Sequence, residues 1–276
     1  METLFLSDLD GTLCNEAGTL SRFTRDGLTQ LLEQGLAFTV ASGRTPLSVR
    51  PLLHDLSLRH PMALMNGALV LDPVRWQPLD CTPLSEAAKA ELVQAERALN
   101  LQGLLLGLEG TALAGTLGDV ESTVWEAFFR RNQAWETAAK LPQGGADVWR
   151  GSILYGIYAD SRPDRLAQLR DRLAGGPFTL DFYQDRYDPK TWCLEVFSHA
   201  ASKYHAVQTI RKMTGAKWLV GFGDGENDLS FFRACDQCYA VANASAAVRA
   251  AADGVIGDHR EDGVIRYLER RWHGGL

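Results

Sequence analysis

Two aspartates one residue apart end the apolar run of FLSDLDGTLC, residues 5–14: Asp8 and Asp10, followed at once by Gly11 and Thr12. A polar strand end accounts for one charge there, but a second one beside it is repelled unless something positive compensates. Asp224, Asn227 and Asp228 crowd the stretch VGFGDGENDLS, and Lys203 stands near the start of SKYHAVQTIRKMTG. Carboxylates gathered at one point suit a hard ion such as Mg²⁺, which keeps several waters and accepts one or two carboxylates besides substrate oxygens. Asp8 and Asp224 are the best-placed ligands. Glycines at 11, 223 and 225 permit tight turns and expose N–H groups that can cradle a phosphate. A cation, a lysine and free N–H groups together describe a site for a dianionic phosphate.

With a phosphoryl group in place, one carboxylate can attack phosphorus and form an aspartyl-phosphate; Asp8 is assigned that role. The second, two residues on, can protonate the departing alkoxide and then deprotonate the hydrolytic water, which assigns general acid and base to Asp10. An ordinary aspartate is too acidic to donate a proton at neutral pH, so Asp10 is expected among carboxylates or in a buried place. Asp228 is assigned to orienting Lys203 or Asp224 rather than to the metal, and Arg44 divides evenly between phosphate contact and loop anchor.

These residues need elements that bring them together. Near-continuous apolar runs at Leu4–Leu9, Ala37–Ala41, Met62–Met65 and Trp218–Phe222 read as strands buried on both faces of a parallel sheet. Between the first two, SRFTRDGLTQLLEQG carries an apolar helical stripe ending at Gly35, which makes a βαβ unit. Open α/β sheets bind ligands at the carboxyl ends of their strands. Asp8 and Asp10, Ser42 in TVASGRTP, Lys203, and Asp224 with Asn227 and Asp228 all fall at such ends.

From about Cys81 to Lys190 the pattern changes to helices at 84–99, 123–135 and 163–173 and strands around 104–117, 153–159 and 178–183, enough for a small α+β layer. Trp125, Phe128, Phe129 and Trp135 are spaced as one helix face. KTWCLEVFS then reads as a buried strand back in the first layer. The expected organisation is an α/β, Rossmann-like parallel-sheet core formed by residues 1–80 and 191–276, interrupted by an inserted α+β domain, 81–190.

The 276 residues are 46% hydrophobic, enough for a substantial core, and the formal net charge of −6 with no Lys/Arg run argues against a nucleic-acid partner. The N-terminus lacks a basic leader, and no stretch of membrane-spanning length is free of charges or turn residues, so neither a signal peptide nor a membrane partner is expected. Five irregularly spaced cysteines form no disulfide framework and suit a reducing cytoplasm; Cys235 and Cys238 lack the second pair a zinc site needs.

Four stretches, DLDGT, ASGR, Lys203 and GDGENDLSFF, resemble in order the four motifs of the haloacid dehalogenase superfamily, and MNGALV, SK and VANAS resemble its Cof-type sugar phosphatases. The resemblance implies a Mg²⁺-dependent phosphatase of small phosphate monoesters, with Asp8 as nucleophile and metal ligand and Asp10 as acid/base with its backbone carbonyl on the metal. It makes Asp224 a further metal ligand. Ser42, Gly43, Lys203, Asn227 and the N–H of Leu9 would hold the phosphoryl group. The long insertion between Ser42 and Lys203 implies a type II cap of the B variety that selects substrate, and a monomer or weak homodimer is expected. Tyr204, where glycine is usual, and Phe197-Ser198-His199, in place of a Pro-containing turn, depart from the Cof pattern and alter the adjoining loop.

Rival readings fit less well. GFGDGEN lacks the third glycine of a dinucleotide fingerprint, and DLDGTL lacks the glycine and glutamate of a calcium loop. A phosphomutase shares the aspartyl-phosphate chemistry. A catalytically idle phosphosugar-binding regulator would gain nothing from Asp10.

Overall fold

The computed structural model describes residues 2–118, 123–131 and 135–274. The chain divides into two units, Met1–Asp80 with Ser202–Leu276, and Cys81–Ala201. No helix among the described residues is long and apolar enough to cross a membrane.

The first unit begins with β1 (Thr3–Ser7), α1 (Arg22–Glu33), β2 (Phe38–Val40), α2 (Pro46–Leu53), β3 (Met62–Leu64), β4 (Leu69–Leu71) and β5 (Pro78–Cys81). Leu4, Phe5 and Leu6 are all buried, as a strand covered on both faces requires. Ser21 caps α1 by accepting from the Thr24 N–H at 2.9 Å, and Gly35 leaves the helix at φ +97°. β3, β4 and β5 form a small separate sheet, tied to the main one by a parallel bridge between Ala41 and Ala63.

The second unit contains α3 (Glu86–Leu99), β6 (Leu104–Glu109), β7 (Ala112–Leu117), α4 (Thr123–Arg131), α5 (Trp135–Ala138), β8 (Ser152–Asp160), α6 (Pro163–Leu173), β9 (Phe178–Gln184) and β10 (Trp192–Ser198). Its five strands form an antiparallel sheet in the order β7-β6-β8-β10-β9. Leu92 of α3 and Leu166, Leu169 and Leu173 of α6 cluster with Leu105, Leu194 and Val196 of the sheet. Trp135 belongs to α5 rather than to the helix before it. Trp125 and Phe129 are buried and stacked at 5.7 Å, while the side chains of Phe128 and Trp135 lie outside the described residues.

One boundary differs from expectation. KTWCLEVFS does not return to the parallel sheet: β10 is paired antiparallel on both sides, by β8 and β9, and the division falls after Ala201 instead of Lys190. β10 is buried along almost its whole length although its sheet is antiparallel, so its apolar run reads like that of a parallel-sheet strand and could not tell which sheet it joins.

Within this unit Glu96 is 3% exposed; its carboxylate accepts from the Tyr158 hydroxyl at 2.7 Å and the Ala146 N–H at 2.6 Å. Burial raises its pKa to about 7, against the opposing pull of those two donors. The folded value exceeds the unfolded one, so the proton's contribution is complete below about 4.5 and is lost as pH rises through about 7. Glu96→Gln, whose amide can accept from Ala146 and donate to Tyr158, is expected to remove that dependence. Urea unfolding at pH 5 and pH 8 should show the wild type losing about 3 kcal/mol more than the variant; equal losses would exclude Glu96 as the source.

The chain re-enters the first unit through α7 (Lys203–Thr214), β11 (Trp218–Gly223), α8 (Asp228–Phe232), β12 (Gln237–Val241), α9 (Ala246–Ala251), β13 (Gly254–Ile256) and α10 (Gly263–Trp272). The main sheet is wholly parallel, in the order β13-β12-β11-β1-β2. Its direction of winding reverses at β1, between β11 and β2. Ser7 is in register with Phe222 on one side and Val40 on the other, so three strands end together there.

Candidate active site

Asp8 is the first residue beyond β1, and its N–H donates to the Phe222 carbonyl of β11 at 2.9 Å. Leu9–Leu13 form a tight turn in which Gly11 takes φ +80° and the Cys14 N–H closes onto the Leu9 carbonyl at 2.8 Å. Asp224 follows β11. Lys203 opens α7, whose cap is Ser202, accepting from the His205 N–H at 3.2 Å. Three residues from two strand ends and a helix start thus converge at the point where open α/β sheets take their ligands.

Lys203 is 1% exposed and donates to Asp8 Oδ1 at 2.8 Å and Asp228 Oδ1 at 2.7 Å. The other oxygen of Asp228 accepts from the N–H groups of Asp224 at 2.9 Å and Gly225 at 3.0 Å. Asp228 therefore ties the lysine to the loop after β11 and has both oxygens committed. Thr12 adds a hydroxyl, which donates to Asp224 Oδ1 at 3.1 Å. Burial, then Asp228, raises the Asp8 pKa well above the ordinary range; Lys203 pulls it down, and Asp224 and Asp10 push it further up. Burial opposes the charge on Lys203, but Asp228 and Asp8 outweigh it and hold the ammonium more firmly than usual.

Asp8, Asp224 and Asp228 can each bring a carboxylate oxygen within 4.8 Å of the others, and all three are buried. Three carboxylates beside one ammonium are two charges out of balance in a low-dielectric place, which is the charge of one divalent ion. The all-oxygen donor set suits Mg²⁺.

Asp10 is not one of these three carboxylates, although its charge acts on Asp8. Arg44 grips it with a two-pronged pair, Nε to Oδ2 and Nη2 to Oδ1, both at 2.7 Å, and also donates from Nη2 to the Gly18 carbonyl at 2.8 Å. Asp10 was expected among carboxylates or in a buried place; it stands near enough to Asp8 to raise that group's pKa, and its direct partner is a cation, joined in the bidentate geometry a carboxylate makes. Arg44 is an anchor of the turn in this conformation.

Gly11 makes the expected tight turn, while Gly223 and Gly225 act differently from expectation. Neither Gly223 nor Gly225 is among the residues with positive φ. A Cβ on Gly223 would lie 2.7 Å from Asp228 Oδ2, so its role is to admit Asp228. The Gly225 N–H serves Asp228 rather than an open cradle.

Ser42, 1% exposed, and Gly43 follow β2; Ser42 Oγ accepts from the Arg44 N–H at 3.2 Å. Leu9 is fully buried beside Asp8, and Asn227 stands exposed just before α8. Asn66 was missed in the sequence: its Oδ1 accepts from Asn227 Nδ2 at 3.5 Å, and its amide lies 3.0–3.4 Å from where a Gly43 Cβ would be. Thr12 and Asn243 were also missed; Asn243 donates to the Gly11 carbonyl at 2.7 Å. Both sit inside quoted motifs, which was the available signal.

A wholly parallel sheet with a buried carboxylate and lysine cluster at its reversal point defines a doubly wound α/β protein with a charged site at its strand ends. The chain belongs to the haloacid dehalogenase-like hydrolases: the sequence model of that family matches residues 5–268. A pyridoxal phosphate phosphatase of Escherichia coli, YbhA, is 23% identical over 271 residues, 95% of each chain. A haloacid dehalogenase-like hydrolase from Bacteroides thetaiotaomicron superposes with a TM-score of 0.78 at 21% identity, covering 98% of this chain and 100% of that one. The subclass IIB sugar phosphatase BT4131 does so with a TM-score of 0.71 at 19% identity, covering 100% of both. The protein is a phosphatase of that family, and its buried aspartate cluster can hold Mg²⁺.

Proposed function

We propose that the enzyme hydrolyses small phosphate monoesters, sugar phosphates first among them, through an aspartyl-phosphate on Asp8. The observation that carries this reading is the buried Lys203 held between Asp8 and Asp228, which fixes one oxygen of Asp8 and leaves the carboxylate to attack. Asp8, Asp224 and the backbone carbonyl of Asp10 would hold the Mg²⁺. The ion would neutralise the charge shared between the carboxylates and the phosphoryl oxygens and orient the ester.

Asp8 bonds to phosphorus as the P–O bond to the alcohol breaks, and Asp10 gives the alkoxide its proton. Asp10 then takes a proton from the water that hydrolyses the aspartyl-phosphate. For this the Asp10 side chain must exchange its pair with Arg44 for the leaving group. Ser42, Gly43, Asn227, Lys203 and the Leu9 N–H are assigned to the phosphoryl oxygens. Cys81–Ala201 is assigned as a type II B cap that chooses the alcohol; a sugar phosphatase of like fold and a relative acting on pyridoxal phosphate support that range of substrates. Five cysteines at irregular spacing suit a reducing compartment.

A screen of sugar phosphates, pyridoxal phosphate and flavin mononucleotide, with Mg²⁺ and with EDTA, tests the reading. Phosphate release is expected in Mg²⁺, highest with a sugar phosphate, and is expected to fall at least about a hundredfold in EDTA. Undiminished release in EDTA would overturn the metal's part. A preference for pyridoxal phosphate would overturn the substrate class alone.

A further inference from the structure

Three successive residues, Met65, Asn66 and Gly67, have φ of +53°, +51° and +91°. The left-handed region suits glycine and is tolerated by asparagine, but it opposes a side chain such as methionine, and Met65 is fully buried. Residues held this way persist only where their surroundings over-determine them. Here the surroundings are the site itself. The N–H groups of Met65 and Asn66 donate to the carbonyls of Arg44 at 3.1 Å and Ser42 at 3.2 Å. A Cβ on Gly67 would sit 2.2 Å from the Ser202 carbonyl oxygen and 2.7 Å from the Lys203 nitrogen, so only glycine lets α7 begin where it does. The turn thus braces both the Ser42–Arg44 loop and the residue that carries the site's ammonium.

What the turn presents is the Asn66 amide, 7% exposed, lying against Gly43 and within reach of Asn227. Gly43 and Asn227 come from loops at opposite ends of the chain, and each is assigned above to the phosphoryl oxygens. We propose that Asn66 is a positioning residue of the phosphate cradle, fixing the Asn227 side chain against the Ser42–Gly43 loop. The inference rests on the phosphatase reading for what the cradle holds. Asn66 acts through Asn227 and Gly43, and the left-handed turn is the device that aims it.

Asn66→Gly separates the amide from the backbone, because glycine adopts the left-handed conformation at least as readily as asparagine. The experiment measures KM and kcat for the best ester, binding of inorganic phosphate by calorimetry in Mg²⁺, and the melting temperature, for wild type, Asn66→Gly, Asn227→Ala and the double variant. Asn66→Gly is expected to weaken inorganic phosphate binding and raise KM about five- to tenfold with the melting temperature unchanged or higher. Added to Asn227→Ala it should cost less than about twofold more, since two residues acting as a unit are not additive. Wild-type KM and phosphate affinity in Asn66→Gly would overturn the proposal, as would effects of the two substitutions that multiply. A wild type that binds inorganic phosphate but hydrolyses no ester would remove the phosphatase reading and leave this inference standing on the binding data. A wild type that binds no phosphate would remove both.

Discussion

Asp8→Asn is expected to abolish phosphate release, by at least about 10⁴-fold in kcat, without lowering the stability of the protein. The kinetic half follows from chemistry: a carboxamide cannot form the acyl-phosphate, and the remaining site can only bind the ester. The stability half follows from the cluster. Burial and three neighbouring carboxylates make the charged form of Asp8 unfavourable, and Lys203 offsets only part of this. Asparagine keeps the shape and an oxygen for Lys203 while Asp228 still pairs with the ammonium. In EDTA at pH 7 the melting temperature should therefore equal or exceed that of the wild type. Turnover within tenfold of wild type would exclude Asp8 as the nucleophile. A large drop in melting temperature would show that its charge holds the fold together.

Lys203→Met carries the opposite expectation. The apolar chain keeps the volume but strands Asp8 and Asp228 in a buried place with Asp224 nearby, and removing one partner of a buried ion pair costs about 3–5 kcal/mol. Activity should be lost as well, because nothing then fixes Asp8 or faces the phosphoryl oxygens from that side. Urea unfolding in EDTA measures the first effect and the ester assay the second. Adding Asp228→Asn should restore part of the stability and none of the activity, since it removes one stranded charge but supplies no cation. A stable, active Lys203→Met enzyme would sink both the cluster argument and the lysine's assigned role.

Both expectations rest on a cluster whose members could be picked out before their contacts were known. The apolar runs around Leu4 and Trp218 marked strands covered on both faces, and the charges just beyond them marked strand ends, because a buried strand has no other place for a carboxylate. Ser202, which accepts from the His205 N–H, caps the helix that Lys203 opens for an equally local reason. What could not be read were relations set by distant parts of the chain. Whether β10 joins one sheet or the other depends on which strands pair with it, and its own run of buried residues does not name them.

By itself, then, the sequence determined the chemistry available: two aspartates, a lysine and a GDGEND loop at the ends of apolar strands, with a domain's length of chain between them. Only the tertiary structure decided the partners. It gave Asp228 both Lys203 and the loop after β11, turned Asp10 to Arg44, and brought Asn66 to Asn227 from 161 residues away. Periodicity and capping act over a few residues and leave a local trace. A hydrogen bond or ion pair across the sheet's rim leaves none, because it exists only once the strands have chosen their neighbours.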